Sequence, residues 1–328
     1  MDSFLFALGA IAPIVITVAI GYLLGRVGLM SGDFVKAANK LVFRVFLPAT
    51  LFLNVYKIEA LAGFDLGYVV YVVAVLLAVF CLSLPAVMAI TRKRERRGAL
   101  WQAAFRSNFA LIGLPIAEAL YGAEGLMIAA LLSAAVVPLY NVLAVLALSV
   151  FGESREGVSV KKILLDILKN PLIIAVAAGV AALGVRALFL HLGVSFRLSE
   201  VKPIYTVLTY LSNLSTPLAL LVLGAQFKFS AVGALKREIV WGTLMRNAFV
   251  PLFGVGIAYV FFPQFNGAHF AAFVSVFASP VAVSSVPMAQ EMGADVELAG
   301  QLVVWTTLAS AFAVFIASFL LRLAGVLV

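Results

Sequence analysis

Apolar stretches of about 20 residues recur from one end of this chain to the other, the length an α-helix needs to cross a bilayer at roughly 1.5 Å per residue. They fall at residues 7–26, 37–56, 67–90, 102–120, 125–151, 168–189, 204–226, 237–262, 268–290 and 297–322. Charge, Gly or Pro marks the breaks between them, as in Arg92-Lys93-Arg94-Glu95-Arg96-Arg97 and Pro263-Gln264-Phe265-Asn266-Gly267. Of the 328 residues 64% are hydrophobic and only 12% charged, too little charge to solvate the surface of a soluble domain. The expected fold class is therefore an all-α integral membrane protein with ten transmembrane helices. Residues up to about Gly28 lack a positive leading region and read as a first span, not a cleaved signal. The lone cysteine, Cys81, cannot form an internal disulfide and reads as a buried packing thiol.

A net charge of +8 would raise nucleic acid as a partner for a soluble protein. Here the cations lie in short connections, where they orient a membrane chain instead, and no nucleic-acid partner is expected. Alternate connections carry Arg26, Lys36 and Lys40, then the five basic residues of 92–97, then Arg155, Lys161, Lys162 and Lys169, then Lys228, Lys236 and Arg237. The opposite connections hold Lys57, Arg186, Arg197, Lys202 and Arg322. Three cations, Arg44, Arg106 and Arg246, fall deeper than the first turn of their spans and belong to neither set. The positive-inside rule makes the richer side cytoplasmic and places both termini outside an inner (plasma) membrane.

Five spans per half is an odd number, so two homologous halves would enter the membrane in opposite directions. The chain divides accordingly into a first repeat at 1–151, a cytoplasmic connection at 152–167 and a second, inverted repeat at 168–328. Pro13 precedes Gly21 by the step that separates Pro171 from Gly179, and Pro48 of the second span matches Pro217 of the seventh. Gly113-Leu114-Pro115-Ile116-Ala117-Glu118 aligns with Ser285-Val286-Pro287-Met288-Ala289-Gln290. In that register Asn108 matches Pro280, and Gly122 and Gly293 close the two segments. Matched Gly/Pro-interrupted helices in inverted halves point to a secondary transporter and to its binding site.

Proline removes a backbone donor and frees carbonyls that lipid cannot solvate, so a break within a span must be satisfied by protein or by a watery cavity. The fourth and ninth helices are therefore expected to be broken, with a simple kink in a packed helix as the alternative. Small polar side chains flank both breaks. Asn108, Pro115, Ser279, Pro280, Ser284, Ser285 and Pro287 are the candidate substrate contacts, with backbone repair as the alternative role for Asn108 and the serines. Half-helices that begin at the midplane present free amides and a positive dipole end, which suits a carboxylate.

The chain resembles the auxin efflux carrier family, a branch of the superfamily that includes the bile acid–sodium symporters. The resemblance rests on Gly21-Tyr22-Leu23-Leu24-Gly25-Arg26-Val27-Gly28, Asn39-Lys40-Leu41-Val42-Phe43 leading to Phe46-Leu47-Pro48, and Arg106-Ser107-Asn108-Phe109 through Gly113-Leu114-Pro115. It extends through Val137-Pro138-Leu139-Tyr140-Asn141, Asn170-Pro171-Leu172, Pro217-Leu218-Ala219-Leu220 to Gly224, and Ser279-Pro280-Val281-Ala282. It implies a scaffold part and a transport part, fourth and ninth helices crossing around the substrate near Asn108, and a homodimer. It also implies organic-anion substrates: auxin-like acids, malonate or malate. The short connection between the halves is similar to that of compact prokaryotic members.

Other candidates are weighed on their own chemistry. Tyr140 and Asn141 follow Pro138 and are expected to line the cavity. Arg106 either guides an anion or snorkels to the headgroups, and Arg246 and Asn247 read as structural anchors. Glu118, Gln290 and Glu291 are the ion-coupling candidates, since intramembrane carboxylates suggest ion handling. The related symporters are said to coordinate sodium with such groups on the ninth helix. A helix end in water is the rival reading of these positions. His191 and His269 read as bystanders. No metal-type His/Glu cluster, phosphate-cradling Gly loop or nucleophile elbow argues for an enzyme, and no cofactor is expected beyond a possible Na+ or H+. The expected function is secondary active transport of small organic anions by alternating access. An uncoupled uniporter or channel driven by membrane potential and a sodium-coupled bile-acid-type symporter are the alternatives.

Overall fold

The computed structural model describes residues 2–57, 66–152, 164–165 and 167–327, with side chains from Ala12 onward. Most of the expected connection at 152–167, with Arg155, Lys161 and Lys162, lies outside them. Eleven helices are followed here: α1 Asp2–Arg26, α2 Gly32–Tyr56, α3 Leu66–Ile90, α4 Arg94–Phe105, α5 Phe109–Phe151, α6 Pro171–His191, α7 Lys202–Gln226, α8 Ala231–Phe261, α9 Gly267–Phe277, α10 Ser285–Glu291 and α11 Val296–Leu323. Seven of them, α2, α3, α5, α6, α7, α8 and α11, are long and apolar enough to cross a membrane. Among the described residues the sole strand-like pairing is an isolated antiparallel bridge between Ser107 and Val281.

Local chemistry sets the helix ends. Ser31, Asn170, Asn266 and Asp295 each cap an N-terminus by accepting an amide of the first turn. Proline sets the internal irregularities. Three π-helical turns, Val42–Phe46, Phe109–Gly113 and Met245–Phe249, each end two residues before a proline, Pro48, Pro115 and Pro251. A proline ring clashes with the carbonyl four residues back, and the wider turn relieves that clash without ending the helix.

Helix α5 holds 43 residues, which as one straight rod would reach about 65 Å, twice the hydrocarbon thickness. It does not run straight. Tyr121 and Gly122 leave helical geometry, Gly122 at φ 60°. A Cβ on Gly125 would lie 2.5 Å from the Ala117 carbonyl oxygen, although residues eight apart on one straight helix are separated by roughly 12 Å. The chain therefore folds back here, between the expected fourth and fifth stretches.

The fourth and ninth stretches are both interrupted, but not at the aligned prolines. Helix α4 begins at Arg94, ahead of the expected 102, and stops at Phe105; Arg106–Asn108 are non-helical before α5 starts. In the ninth stretch the gap is Ala278–Ser284. Pro287 lies in the first turn of α10, where the missing amide costs little, and Pro115 is the seventh residue of α5, accommodated by the π-turn before it. The expectation that they mark the breaks is corrected: the breaks fall seven residues earlier, at the polar Arg106-Ser107-Asn108 and at Ser279-Pro280. Cys81 is also corrected, since α3 buries Val72, Val75, Leu76 and Val79 and leaves Cys81 exposed.

Small residues decide which helices meet. A Cβ on Gly21 of α1 would lie 2.1 Å from the Leu221 carbonyl oxygen of α7, and one on Gly224 of α7 would lie 2.0 Å from that of Val18. Gly179 of α6 meets α2 in the same way, 2.8 Å from the Val55 Cβ. Without a hydrophobic drive between helices in lipid, such close backbone approach is the main source of association. Replacing Gly224 by Ala forces α1 and α7 apart and should cost about 1–3 kcal/mol. Gly184→Ala, which meets nothing within 4 Å, should stay within ~0.5 kcal/mol. Thermal unfolding of the two variants in one detergent compares them; equal midpoints would remove the close-approach argument.

Candidate functional site

The two interruptions meet. Besides the Ser107–Val281 bridge, the Asn108 amide donates to the Pro280 carbonyl at 2.7 Å, so the two breaks satisfy part of one another's backbone. The Val281 amide donates to the Thr306 hydroxyl of α11 at 3.0 Å. A buried amide without such a partner would be costly.

Four further carbonyls at the crossing go to Arg246, in the π-turn of α8 and fully buried. Its guanidinium donates to Phe105 at the end of α4 (3.0 Å) and to Val276 (2.9 Å), Phe277 (2.8 Å) and Ser279 (2.9 Å) at the end of α9. Tyr140 lies beside it. The anchoring role expected of Arg246 is thus specific: it holds the C-terminal ends of both interrupted helices.

On the other flank of the crossing lies a cavity of about 110 Å³. Its walls come from α2 (Leu47, Thr50, Asn54), α7 (Ser215, Ala219), the first break (Arg106, Ser107, Asn108), the second arm of α5 (Tyr140, Asn141) and the second break (Ser284). Arg106 dominates it. Only 3% exposed, it donates to Asn141 Oδ1 and to Ser284 Oγ, each at 2.8 Å, to Gln102 Oε1 at 3.3 Å, and to the Met288 sulfur. Every one of these partners is neutral, and among the described residues no carboxylate pairs with it. Burial of this depth excludes snorkelling to the headgroups. Asn141 is held by its own donation to the Val137 carbonyl (2.8 Å), and Tyr140 accepts from Ser107 at 3.1 Å. The side-chain amide nitrogen of Asn108 is buried without a hydrogen-bond partner.

The expected contacts thus separate. Asn108, Tyr140, Asn141, Ser284 and Arg106 line one cavity. Ser279 is fully buried with its hydroxyl on the Ser275 carbonyl, and Pro280 contributes its carbonyl to the crossing. Ser285 is buried behind the wall, its carbonyl accepting from Gln102 at 3.2 Å. Neither Pro115 nor Pro287 lines the cavity.

A second, wider cavity of about 960 Å³ opens among Lys36 and Lys40 of α2, Gln226 of α7, Gln290 and Glu291 of α10 and Gln301 of α11. Here Asn39 donates to Gln290 at 2.7 Å and lies 3.4 Å from Gln226, while Arg44 pairs with Glu291 at 3.1 Å. Two of the ion-coupling candidates therefore have protein partners. The third, Glu118, is exposed and takes no part in this cavity.

Thr50, Ser215 and Gln102 belong to the site's surroundings without having stood out in the sequence, because single polar residues in apolar runs are common. The arginines did leave a signal. Arg44, Arg106 and Arg246 are the cations that fit neither side of the loop charge distribution, and each has a specific role inside the fold.

A sequence profile of the family described as Membrane transport protein matches residues 6–318. An uncharacterized transporter of Methanothermobacter thermautotrophicus is 25% identical over 320 residues, covering 92% of this chain and 93% of that one. A second, from Methanocaldococcus jannaschii, is 26% identical over 241 residues, 70% of this chain and 71% of its own. With a match that runs through the interrupted helices and the cavity they enclose, the chain belongs to the membrane transport protein family, that of the auxin efflux carriers its motifs resemble.

Proposed function

We propose that this protein is a secondary carrier of small organic anions, mono- or dicarboxylates, working by alternating access. The observation that carries the reading is Arg106: a guanidinium buried in a cavity with neutral partners alone. A charge at such depth costs several kcal/mol unless something of opposite sign compensates it. A carboxylate entering the cavity supplies that compensation, and a guanidinium fork binds it with two parallel hydrogen bonds. The unpartnered Asn108 amide and the orphan amides at the start of α5 add donors on the same wall. Helix α10 has only seven residues, so the converging dipole expected from the ninth span is small, and Arg106 takes its place.

The architecture proposed with it has ten spans in two inverted halves. The fold-back at Tyr121–Gly122 divides α5 into two arms, and α4 with the first arm, like α9 with α10, makes one interrupted span. Gly21 seats α1 on α7 as Gly179 seats α6 on α2, which is the exchange a two-fold relation between halves requires. Asn108 and Pro280, aligned with each other in the repeat, hydrogen-bond to each other, as residues near such an axis would. Helices α1, α2, α6 and α7 would form the scaffold and the rest the moving part, with the cavity between them. The wide cavity, on the lysine-rich side, is then the cytoplasmic vestibule of an inner-membrane carrier with both termini outside. Rocking must break Asn39–Gln290 and Arg44–Glu291, which join the two parts.

Purified protein screened against carboxylates by thermal shift should show stabilisation by its best ligand. Arg106→Gln should weaken that ligand by roughly 10- to 100-fold, the value of a charge-assisted hydrogen-bond pair. Undiminished binding in this variant would end the anion-site reading. Asn108→Ala should cost less, about 3- to 10-fold, because one neutral hydrogen bond is lost. If the scaffold assignment is right, Gln290→Leu changes the rate of uptake into proteoliposomes more than it changes binding affinity; an effect on affinity alone would place Gln290 in the site instead.

A further inference from the structure

The anion reading leaves the deeply buried guanidinium of Arg246 unused. Arg246 is 0% exposed, does not line the cavity that Arg106 faces, and donates four hydrogen bonds of 2.8–3.0 Å to main-chain carbonyls. These oxygens share an origin. The last carbonyls of any helix lack intrahelical partners, and α4 and α9 both end at the crossing, inside the fold and away from water. Each end also carries about half a negative charge from its aligned peptides. Two such ends facing one point create a negative site among main-chain oxygens, which is how unwound membrane helices in carriers hold a coupling cation.

Here the fold fills that site from within. Pro251 sets the π-turn Met245–Phe249, and Arg246 reaches from it to both helix ends at once. The single positive charge offsets two half-charges of opposite sign, and its planar fork reaches carbonyls from both helix ends. Elsewhere, Glu291, the carboxylate best placed on α10 to serve a cation, is paired with Arg44, and Gln290 is held by Asn39.

We propose that Arg246 is a resident cation occupying the position that an alkali metal ion would take at the crossing, so that the crossing stays assembled, and substrate moves, without sodium. The consequence for transport rests on the carrier reading above; the charge balance at the crossing does not.

The test uses full-length purified protein and needs no substrate. Unfolding midpoints are measured in NaCl and in N-methylglucamine chloride at equal ionic strength, for wild type, Arg246→Lys and Arg246→Met. A ligand that binds only the folded state raises the midpoint saturably. Wild type and Arg246→Lys should show no sodium response. Arg246→Met should unfold several degrees lower and recover, saturably, with NaCl or with low-millimolar guanidinium chloride. Saturable stabilisation of wild type by sodium overturns the proposal, as does an Arg246→Met variant as stable as wild type and indifferent to both cations. If neither variant folds, the wild-type titration decides alone. Loss of the anion reading through Arg106→Gln would leave these outcomes unchanged, so the two ideas fail separately.

Discussion

Everything at the centre of this fold follows from the demand that backbone polar groups in hydrocarbon be satisfied within the protein. An unbroken helix meets that demand alone; α4 and α9 do not, because both stop inside the fold. Their solution is mutual. The first break donates the Asn108 amide to the Pro280 carbonyl, Thr306 accepts the Val281 amide, and the guanidinium of Arg246 collects the carbonyls left at both helix ends. Phe105 and Ser279 come within reach of one side chain because the breaks cross. The crossing is thus a single cooperative unit, and α8 belongs to it as much as the interrupted helices do.

The crossing also sorts charge. On the flank where helices end, negative dipole ends meet a positive side chain and the balance is closed. On the flank where α5 begins, positive amide ends meet a second positive side chain, Arg106, whose partners are oxygen and sulfur atoms without charge. Among the described residues Arg106 and Arg246 are the buried guanidinium groups at the crossing, and helix ends compensate Arg246 alone. An uncompensated charge is expensive for stability and is retained where a ligand completes it. That asymmetry is the observation on which the proposed anion reading rests.

Much of this was legible in the residues. Periodic apolar length located the helices, because bilayer thickness and helix rise leave little freedom. The matched prolines led to the right pair of helices but to the wrong residues within them. Pro287 is tolerated in the first turn of its helix and Pro115 behind a π-turn, so both lie where the downstream pieces have already begun, and the interruption itself lies among the preceding polar residues. Cys81 was misread because apolar context does not distinguish a protein-facing from a lipid-facing position on a helix that is apolar all round. The roles of Ser279 and Ser284 could not be separated either. Both are small hydroxyls near a break, and only the path of the chain through Pro280 turns one into the packed backbone and the other toward Arg106.

The cations that disobeyed the loop pattern carried more information than those that followed it. A surface arginine obeys the membrane's overall charge bias and needs no specific partner. One buried in a span survives only if the fold supplies partners or uses the charge, so its position is constrained by chemistry at atomic distance. Arg246 is the first case, with four carbonyls; Arg106 is the second, with neutral contacts and an adjoining cavity. Arg44 shows an intermediate state: half of its pair, Glu291, sits on the short helix α10, and its partner helix α2 is held by the tight glycine contact with α6. Helix α10 is joined to α2 by that ion pair and by two bonds of Gln290, one accepted from Asn39 and one donated to the Lys36 carbonyl, and these are the contacts that the proposed rocking motion has to break while the crossing stays whole.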